Sequence, residues 1–540
     1  MTDPPVATRA SEDSGEHNAA QATQASARAS GSWRNLDSWR GWGGRAATLA
    51  RQNWLACLLM AAGLVLRVLA QLAYRPALVY VDTLKYLYGV YPGSDPLGYK
   101  LPLKIILAFG DLGLGRPGLG AVAAVQHLLG LAMAAVLYIL LRRRGVNRWL
   151  AAIAMAPVLL DAYQLQMEQT IMPDVWFEAM LVAGLALLLW RPAVTMPLLV
   201  AAGLVLGASA TMRQLGELLI FPVVLFGLVA WGGWRRVLIR SAAVLGAFAL
   251  PILLYCGVNY ARTGHFWLAH GQTTLGRVTA AADCATLKVP ADVRRLCPAP
   301  GAQALGPDWL EHSGKSPLYT TPPHGPQKTV LLKQLTSAIR SQQPLRIAGA
   351  VARDAVRLFA LTRDPVESVT PISRWQFQDS YPVYPHWVTL RQGTIIVGLQ
   401  RRAFGMFHFS PLNPSYGGKA RVIRPLAEFL RGYQLNGGYT PGPLYLVASL
   451  LGLAGSVLLL IRRRLPPRAR EAALACLLFT AAAVVLLFAP NVFEFSWRYE
   501  LPAVVVLPPA GALGLCALWS WRRDRRRPPA DGQPAAQAQA

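Results

Sequence analysis

Tyr80-Val81-Asp82-Thr83-Leu84-Lys85-Tyr86-Leu87, running on to Asp95-Pro96-Leu97-Gly98-Tyr99-Lys100-Leu101-Pro102, follows the first strongly apolar segment of the chain, Trp54 to Tyr74. That segment is long enough to cross a bilayer as a helix. A carboxylate a few residues beyond such an exit, beside Tyr and Lys, is costly unless water, a cation or a substrate proton meets it. The stretch therefore reads as the chemical end of a membrane enzyme.

The composition agrees with a membrane protein. Of 540 residues, 54% are hydrophobic and only 15% charged, which suits several membrane-spanning helices better than a soluble domain. A net charge of +26 raises the question of nucleic acid. The Lys and Arg residues, however, are dispersed in short clusters between apolar segments. That is the pattern of positive-inside topology and of contact with anionic membrane lipids, so no nucleic-acid partner is expected.

Apolar windows run over 54–74, 119–141, 149–161, 174–190, 196–212, 215–231, 237–257, 441–461, 471–489 and 501–521. The expected fold is an α-helical polytopic membrane protein of about ten transmembrane helices, the shorter ones tilted or set in a thinned region. When the helices alternate, Arg142-Arg143-Arg144, Arg191, Arg235-Arg236, Arg462-Arg463-Arg464 and Arg522-Arg523 fall on one side with the basic N-terminal segment. Both termini are then cytoplasmic. Residues 75–118, 161–174, 213–215, 258–440 and 490–500 are placed outside the cytoplasm.

The chain divides into five regions on this reading. Residues 1–50 form a low-complexity tail ending in an interfacial stretch with Trp33, Trp39 and Trp42 among arginines. Residues 51–257 are the N-terminal membrane module, 258–440 an extracytoplasmic domain between helices 7 and 8, 441–521 the last helices, and 522–540 a second tail. The tail ahead of Trp54 argues against a cleaved signal peptide. Within 258–440, helix-like runs at 328–341 and 345–361 flank Pro344, and 386–408 reads as a surface-lying segment.

Cys57, Cys256, Cys476 and Cys516 sit in or at apolar helices and read as small packing residues. Cys284 and Cys297, with twelve residues between them, share the extracytoplasmic segment and are expected to form a disulfide. No CxxC or His/Cys cluster suggests a zinc site.

The informative residues break the positive-inside pattern. Lys85, Lys100, Lys104, Arg213 and Arg498 lie at the outer membrane ends, where no orientation rule asks for cations. Two readings stand for Arg213. It holds a phosphate bidentately, or it pairs with Glu217 four residues on, as Glu494 and Arg498 would also do. Asp82, Asp95, Glu168 and Asp174 put carboxylates on the same side, although Asp174 also suits a helix N-terminus. A carboxylate base beside phosphate-binding cations is what transfer from a lipid-linked phosphate donor needs.

These pieces, in this order, resemble the GT-C superfamily of polyprenyl-phosphate-dependent glycosyltransferases, in particular the branch with protein mannosyltransferases and the aminoarabinose transferase of lipid A. The matching pieces begin with Val81-Asp82-Thr83-Leu84-Lys85-Tyr86-Leu87 and Asp95-Pro96-Leu97-Gly98-Tyr99. Met172-Pro173-Asp174-Val175-Trp176-Phe177 resembles the family's acidic helix start, and Leu204 to Arg213 its small-residue run ending in Arg. Asn259-Tyr260-Ala261-Arg262-Thr263-Gly264-His265-Phe266 and Trp497-Arg498-Tyr499-Glu500-Leu501-Pro502 complete the series. The resemblance covers roughly 54–270 and 441–521, and 271–440 matches nothing.

The resemblance implies that Asp82 is the catalytic carboxylate and that Arg213 binds the donor phosphate, with Lys85 or Arg498 assisting. The expected activity is transfer of a hexosyl or pentosyl group from a polyprenyl-phosphate donor to a glycan, lipid or protein acceptor, with inversion. Thr83 and Leu84 follow Asp82 where the family pattern has a paired acidic motif. A divalent cation, Mg2+ or Mn2+, on Asp82 with Asp95 or Asp174 is left open. The rival classes are a transporter or flippase, which would set charges mid-helix and show an inverted repeat, and a non-catalytic envelope assembly protein.

Overall fold

The computed structural model describes residues 48, 50–80, 82–88, 95–109, 118–269, 274–366, 368–380, 421–462 and 465–525, with 387–391 and 394–398 as backbone. The predicted tails, the Trp33–Trp42 stretch and most of 386–408 lie outside them. The chain divides into Met1–Leu58 and Leu59–Ala540. The first unit contributes the opening turns of helix α1 (Trp54–Ala73), and every later element belongs to the second.

After α1 come a two-residue strand β1 (Tyr74–Arg75), a short α2 (Thr83–Tyr88) and α3 (Lys100–Ala108). The membrane module continues as α4 (Gly118–Arg143), α5 (Arg148–Leu160), α6 (Ala162–Gln169), α7 (Asp174–Leu189) and α8 (Met196–Met212). A 3-10 turn, Gln214–Leu219, leads to α9 (Ile220–Ala230) and α10 (Trp234–Thr263). The next segment holds α11 (Leu275–Ala281), α12 (Ala291–Arg294), α13 (Pro300–Ala304), α14 (Gly306–His312), α15 (Pro317–Thr320), α16 (Pro326–Gln342) and α17 (Pro344–Ala355). A hairpin, β2 (Trp387–Arg391) and β3 (Thr394–Gly398), then β4 (Arg421–Val422) and α18 (Arg424–Leu435), precede the closing helices α19 (Gly442–Ile461), α20 (Pro467–Phe488) and α21 (Ala503–Arg525).

Each of the ten predicted apolar windows coincides with helix. Among the described residues, six helices are long and apolar enough to cross a membrane: α1, α4, α10, α19, α20 with its extension to Val492, and α21. The pair α5–α6, bent by 49°, makes a seventh if it counts as one span, while α8 and the Gln214–Ala230 stretch are shorter. A chain with these helices is a multi-pass membrane protein. The shorter helices leave the count of ten spans unmet by length.

The bend in α5–α6 corrects the sequence reading, which ended a helix at Asp161 and left 161–174 as a loop. Asp161 instead caps a second helix, accepting from Tyr163 N at 3.0 Å. All of α6 is buried, including Gln164, Gln166, Glu168 and Gln169. The side chains of Gln164, Glu168 and Gln169 bond inward, which hydropathy alone does not show, while Gln166 Oε1 has no partner among the described residues.

Close helix approach organises the module. Gly207 of α8 lies against α10 so tightly that a Cβ would sit 2.0 Å from Phe248 O. Small residues allow this kind of packing in a bilayer, where no hydrophobic drive separates helix from lipid. The segment after α10 builds its own core from Val278, Leu287, Leu296, Leu335 and Ile339, and Cys284 and Cys297 are joined by a disulfide beside it with Cα atoms 5.9 Å apart. Links to the membrane module include a strand pair and an ion pair. β1 and β4 pair antiparallel, Tyr74 opposite Val422. The Arg363 guanidinium reaches the α5–α6 bend, with Nη2 2.9 Å from Asp161 Oδ2.

Candidate active site

Backbone bridges bring the two acidic stretches together. Leu78 N donates to Gln169 O and Ile171 N to Leu78 O, each at 3.0 Å. Thr83 Oγ1 donates to Ile171 O at 2.9 Å. Leu78 and Thr83 therefore both lie beside 169–171, which lead into Asp174, the first residue of α7. A third stretch joins through Gly98, whose N donates to Thr211 O at 2.9 Å. A Cβ there would stand 2.5 Å from that oxygen, so the approach needs glycine. Asp95 is thereby carried to the end of α8, where Arg213 begins.

The charged side chains interlock. Lys85 Nζ lies 3.0 Å from Asp82 Oδ1 and also binds Asp95. Arg498 reaches Asp82 Oδ2 with Nη1 at 2.8 Å and grips Asp174 with Nε at 3.0 Å and Nη2 at 2.9 Å. Arg213 pairs with Asp174 as well, its guanidinium 5.1 Å from the centre of the Tyr499 ring. Three carboxylates and three cations thus form one chain, Asp95–Lys85–Asp82–Arg498–Asp174–Arg213. Their formal charges cancel.

Neither of the expected i,i+4 pairs is present. Among the described residues Glu217 makes no ion pair, and Arg498 turns to Asp82 and Asp174 instead of Glu494. The physical reason is that Arg213 ends α8 in extended backbone at φ −142° and a 3-10 turn follows, so no α-helical register carries residue 213 onto residue 217. Asp174 does sit in the first turn of α7, where its charge suits the helix N-terminus. Pro173 holds the N-cap position, and the Asp174 carboxylate turns to the arginines.

Exposure separates the carboxylates. Asp174 is 3% exposed, whereas Asp82 keeps 21% and Asp95 23%. Asp82 and Asp95 are thus open to solvent, and Asp174 is buried against both arginines. Burial by itself would raise the Asp82 carboxyl, but Lys85 and Arg498 outweigh it and hold the group well below the usual carboxylate range. Lys85 and Arg498 are raised in turn by their carboxylate partners, against the effect of burial.

The remaining predicted residues lie elsewhere. Glu168 is wholly buried in a separate network, 2.7 Å from Arg67 Nη2 and 2.9 Å from His127 Nδ1. Its position in α6 turns it away from Asp82. Lys100 faces Lys104 and Arg262, and burial and these two cations lower its ammonium.

Aromatic walls were not foreseen. Tyr80 packs on Trp375 at 4.9 Å, Trp375 also lies under Arg498 at 5.4 Å, and Tyr86 meets Tyr99 edge-on at 5.1 Å. Trp375 belongs to the stretch with no recognisable pattern. Its seat, where Nε1 donates to Ser496 Oγ at 3.1 Å and its carbonyl accepts from Gln434 Nε2 at 3.0 Å, holds it at the site.

The same arrangement bears on the divalent cation left open by the sequence. The Lys85 ammonium stands between Asp82 and Asp95, and Arg498 between Asp82 and Asp174. The three carboxylates each face a protein cation and do not converge on a common point, so as arranged they do not fit Mg2+ or Mn2+.

No protein-family model matches the sequence, and no curated protein is similar to it. Solved structures are. The protein O-mannosyltransferase Pmt1–Pmt2 complex of S. cerevisiae, bound to the sugar donor, is similar at 19% identity and a TM-score of 0.32, over 42% of this chain and 36% of that one. The archaeal oligosaccharyltransferase AglB of Archaeoglobus fulgidus, in complex with an inhibitory peptide and a dolichol-phosphate, is similar at 13% identity and a TM-score of 0.39, over 90% and 53%. ArnT from Cupriavidus metallidurans, bound to undecaprenyl phosphate, gives 16% and 0.30, over 87% and 78%. The chain spans about a third of the first structure's length and about half of the second's. These likenesses are distant, and the chemistry of the site is read from its own residues.

Proposed function

We propose that the protein is a glycosyltransferase that moves a sugar from a polyprenyl-phosphate donor to an acceptor on the extracytoplasmic side. The observation that carries this reading is the interlocked chain of Asp82, Asp95 and Asp174 with Lys85, Arg213 and Arg498, drawn from four distant stretches to the ends of membrane helices. The resemblance of the sequence pieces to GT-C enzymes points to the same chemistry.

In this reading the donor phosphate enters among Arg213, Lys85 and Arg498, with its isoprenoid along the helices. The site is charge-neutral before it binds. An arriving phosphate therefore competes with the carboxylates for the same cations, and Asp82 is released from part of its ion pairing. A carboxylate so released is a better proton acceptor. The acceptor hydroxyl attacks the anomeric carbon as its proton passes to Asp82. The bond from that carbon to the phosphate oxygen breaks, and the electron pair stays on the phosphate, where the cations stabilise it. One direct displacement inverts the anomeric centre.

The test is turnover of polyprenyl-phosphate sugars by the purified protein in lipid nanodiscs, scored by release of free polyprenyl phosphate. Turnover of at least one such donor, dependent on acceptor, is expected. Absence of turnover together with solute or lipid movement across vesicles would favour the transporter class instead.

A further inference from the structure

Away from the Asp82 cluster, a second set of side chains converges from two distant parts of the chain. Asp308 and His312 stand four residues apart on α14, on one face of the helix, and Glu494 comes after the turn that ends α20. One ligand atom from each lies within 4.8 Å of the others. Among the described residues this is the one such group of three His, Cys, Asp or Glu side chains. We propose that Asp308, His312 and Glu494 form a binding site for a single divalent transition cation of the zinc type, which ties α14 to the segment carrying Arg498.

The geometry suits such an ion. His312 Nδ1 lies 3.4 Å from Asp308 Oδ1. Two ligands held 2.0–2.1 Å from a tetrahedral zinc stand roughly 3.3 Å apart, close to the spacing of this pair, and Nδ1, which also lies 3.2 Å from Asp308 O, must give up that contact to bind the ion. A Glu494 carboxylate oxygen lies within 4.8 Å of both of these atoms. One imidazole and two carboxylates, with water in the fourth place, is a ligand set that zinc accepts. The imidazole nitrogen disfavours Mg2+ and Ca2+, which take oxygen.

Access and support are both present. The His312 side chain is 69% exposed and Asp308 23%, so an ion can arrive from solvent. The helix beneath them is fixed: Glu311 Oε2 accepts from Gly276 N at 2.8 Å, and Gly306 takes φ +86° where a Cβ would collide with Ser368 O. The groups facing the site are Glu311 from α14, Arg374 from the 3-10 turn Ile372–Trp375, and Tyr499 beside Glu494. Arg374 is the opposing charge. Its Nη2 lies 3.8 Å from Asp308 Oδ2 and it also donates to Tyr80 OH at 3.4 Å, so it takes the oxygen of Asp308 that does not face His312. With His312 neutral, Asp308, Glu494 and Glu311 leave an excess of negative charge over Arg374.

The test of this site needs no turnover. Full-length protein with any polyhistidine tag removed is stripped with a chelator, and Zn2+ is titrated against a chromophoric competitor. Wild type is expected to take up one Zn2+ per chain in a step that Mg2+ does not compete. His312→Ala and Glu494→Gln should each weaken that step at least tenfold, while His324→Ala, at an exposed histidine elsewhere, leaves it unchanged. His312 is at the surface, so its loss should not disturb folding. Metal-free wild type and His312→Ala should therefore melt at the same temperature, with Zn2+ raising only the former. A wild type that binds no Zn2+, or binds it no better than His312→Ala, overturns the proposal, and the three groups then share only protons.

Discussion

Asp82 and Asp174 are both carboxylates held by Arg498, yet Asp82 keeps 21% exposure and Asp174 only 3%. If Asp82 is the base, Asp82→Asn removes the proton acceptor and lowers sugar transfer by about 10²–10⁴ with the fold intact. Asn caps a helix nearly as well as Asp, so a capping role would leave transfer near normal. For Arg213, a lysine cannot reproduce a bidentate fork, so Arg213→Lys should raise the donor KM and lower turnover strongly. Glu217→Gln, at a residue without an ion pair among those described, should change little. The pH profile offers a third check. A carboxyl with a depressed folded pKa contributes stability that is present above its unfolded pKa, about 3.9, and lost as pH falls through the folded value. Asp82 is such a group. The free protein should therefore show no acid limb from it in kcat/KM above about pH 4, and a limb near neutrality that tracks Asp82 contradicts the ion-paired state.

At the scale of elements, short irregular pieces place the site more than the long helices do. The parallel bridge of Leu78 with residues 169–171, the close approach of Gly98 to Thr211 and the break at Arg213 set the positions of the stretches that carry Asp82, Asp95, Asp174 and Arg213. α6 shows the opposite case, a polar helix that survives because Glu168, His127 and Arg67 satisfy one another inside. The segment after α10 is closed by Cys284 and Cys297, thirteen residues apart. A loop of that length is stabilised by about 3 kcal/mol in the chain-entropy model. Peptide mapping without reductant should recover the two as one linked pair, and recovery of both as free thiols would remove that contribution.

For the whole molecule, the arginine clusters predict that Gly314 and Pro466 lie on opposite sides of the membrane. A cysteine placed at Gly314 should react with an impermeant reagent added outside intact cells, and one at Pro466 should not. The reverse pattern would put the Asp82 cluster in the cytoplasm and end the proposed function. Apolar windows of the sequence alone located the six described helices long enough to cross a membrane, although α10 runs about six residues past its window, because a bilayer demands continuous apolar length. Asp82, Lys85, Arg213 and Arg498 stood out for a similar reason: a charge at a helix end without an orientation role is conspicuous. Which charge meets which was decided only by the tertiary structure. Arg498 lies 416 residues from Asp82 and 324 from Asp174, and no local period links them. Trp375 reached the site, and Glu168 left it, through packing between segments far apart in sequence, where a side chain's partner depends on how the helices cross.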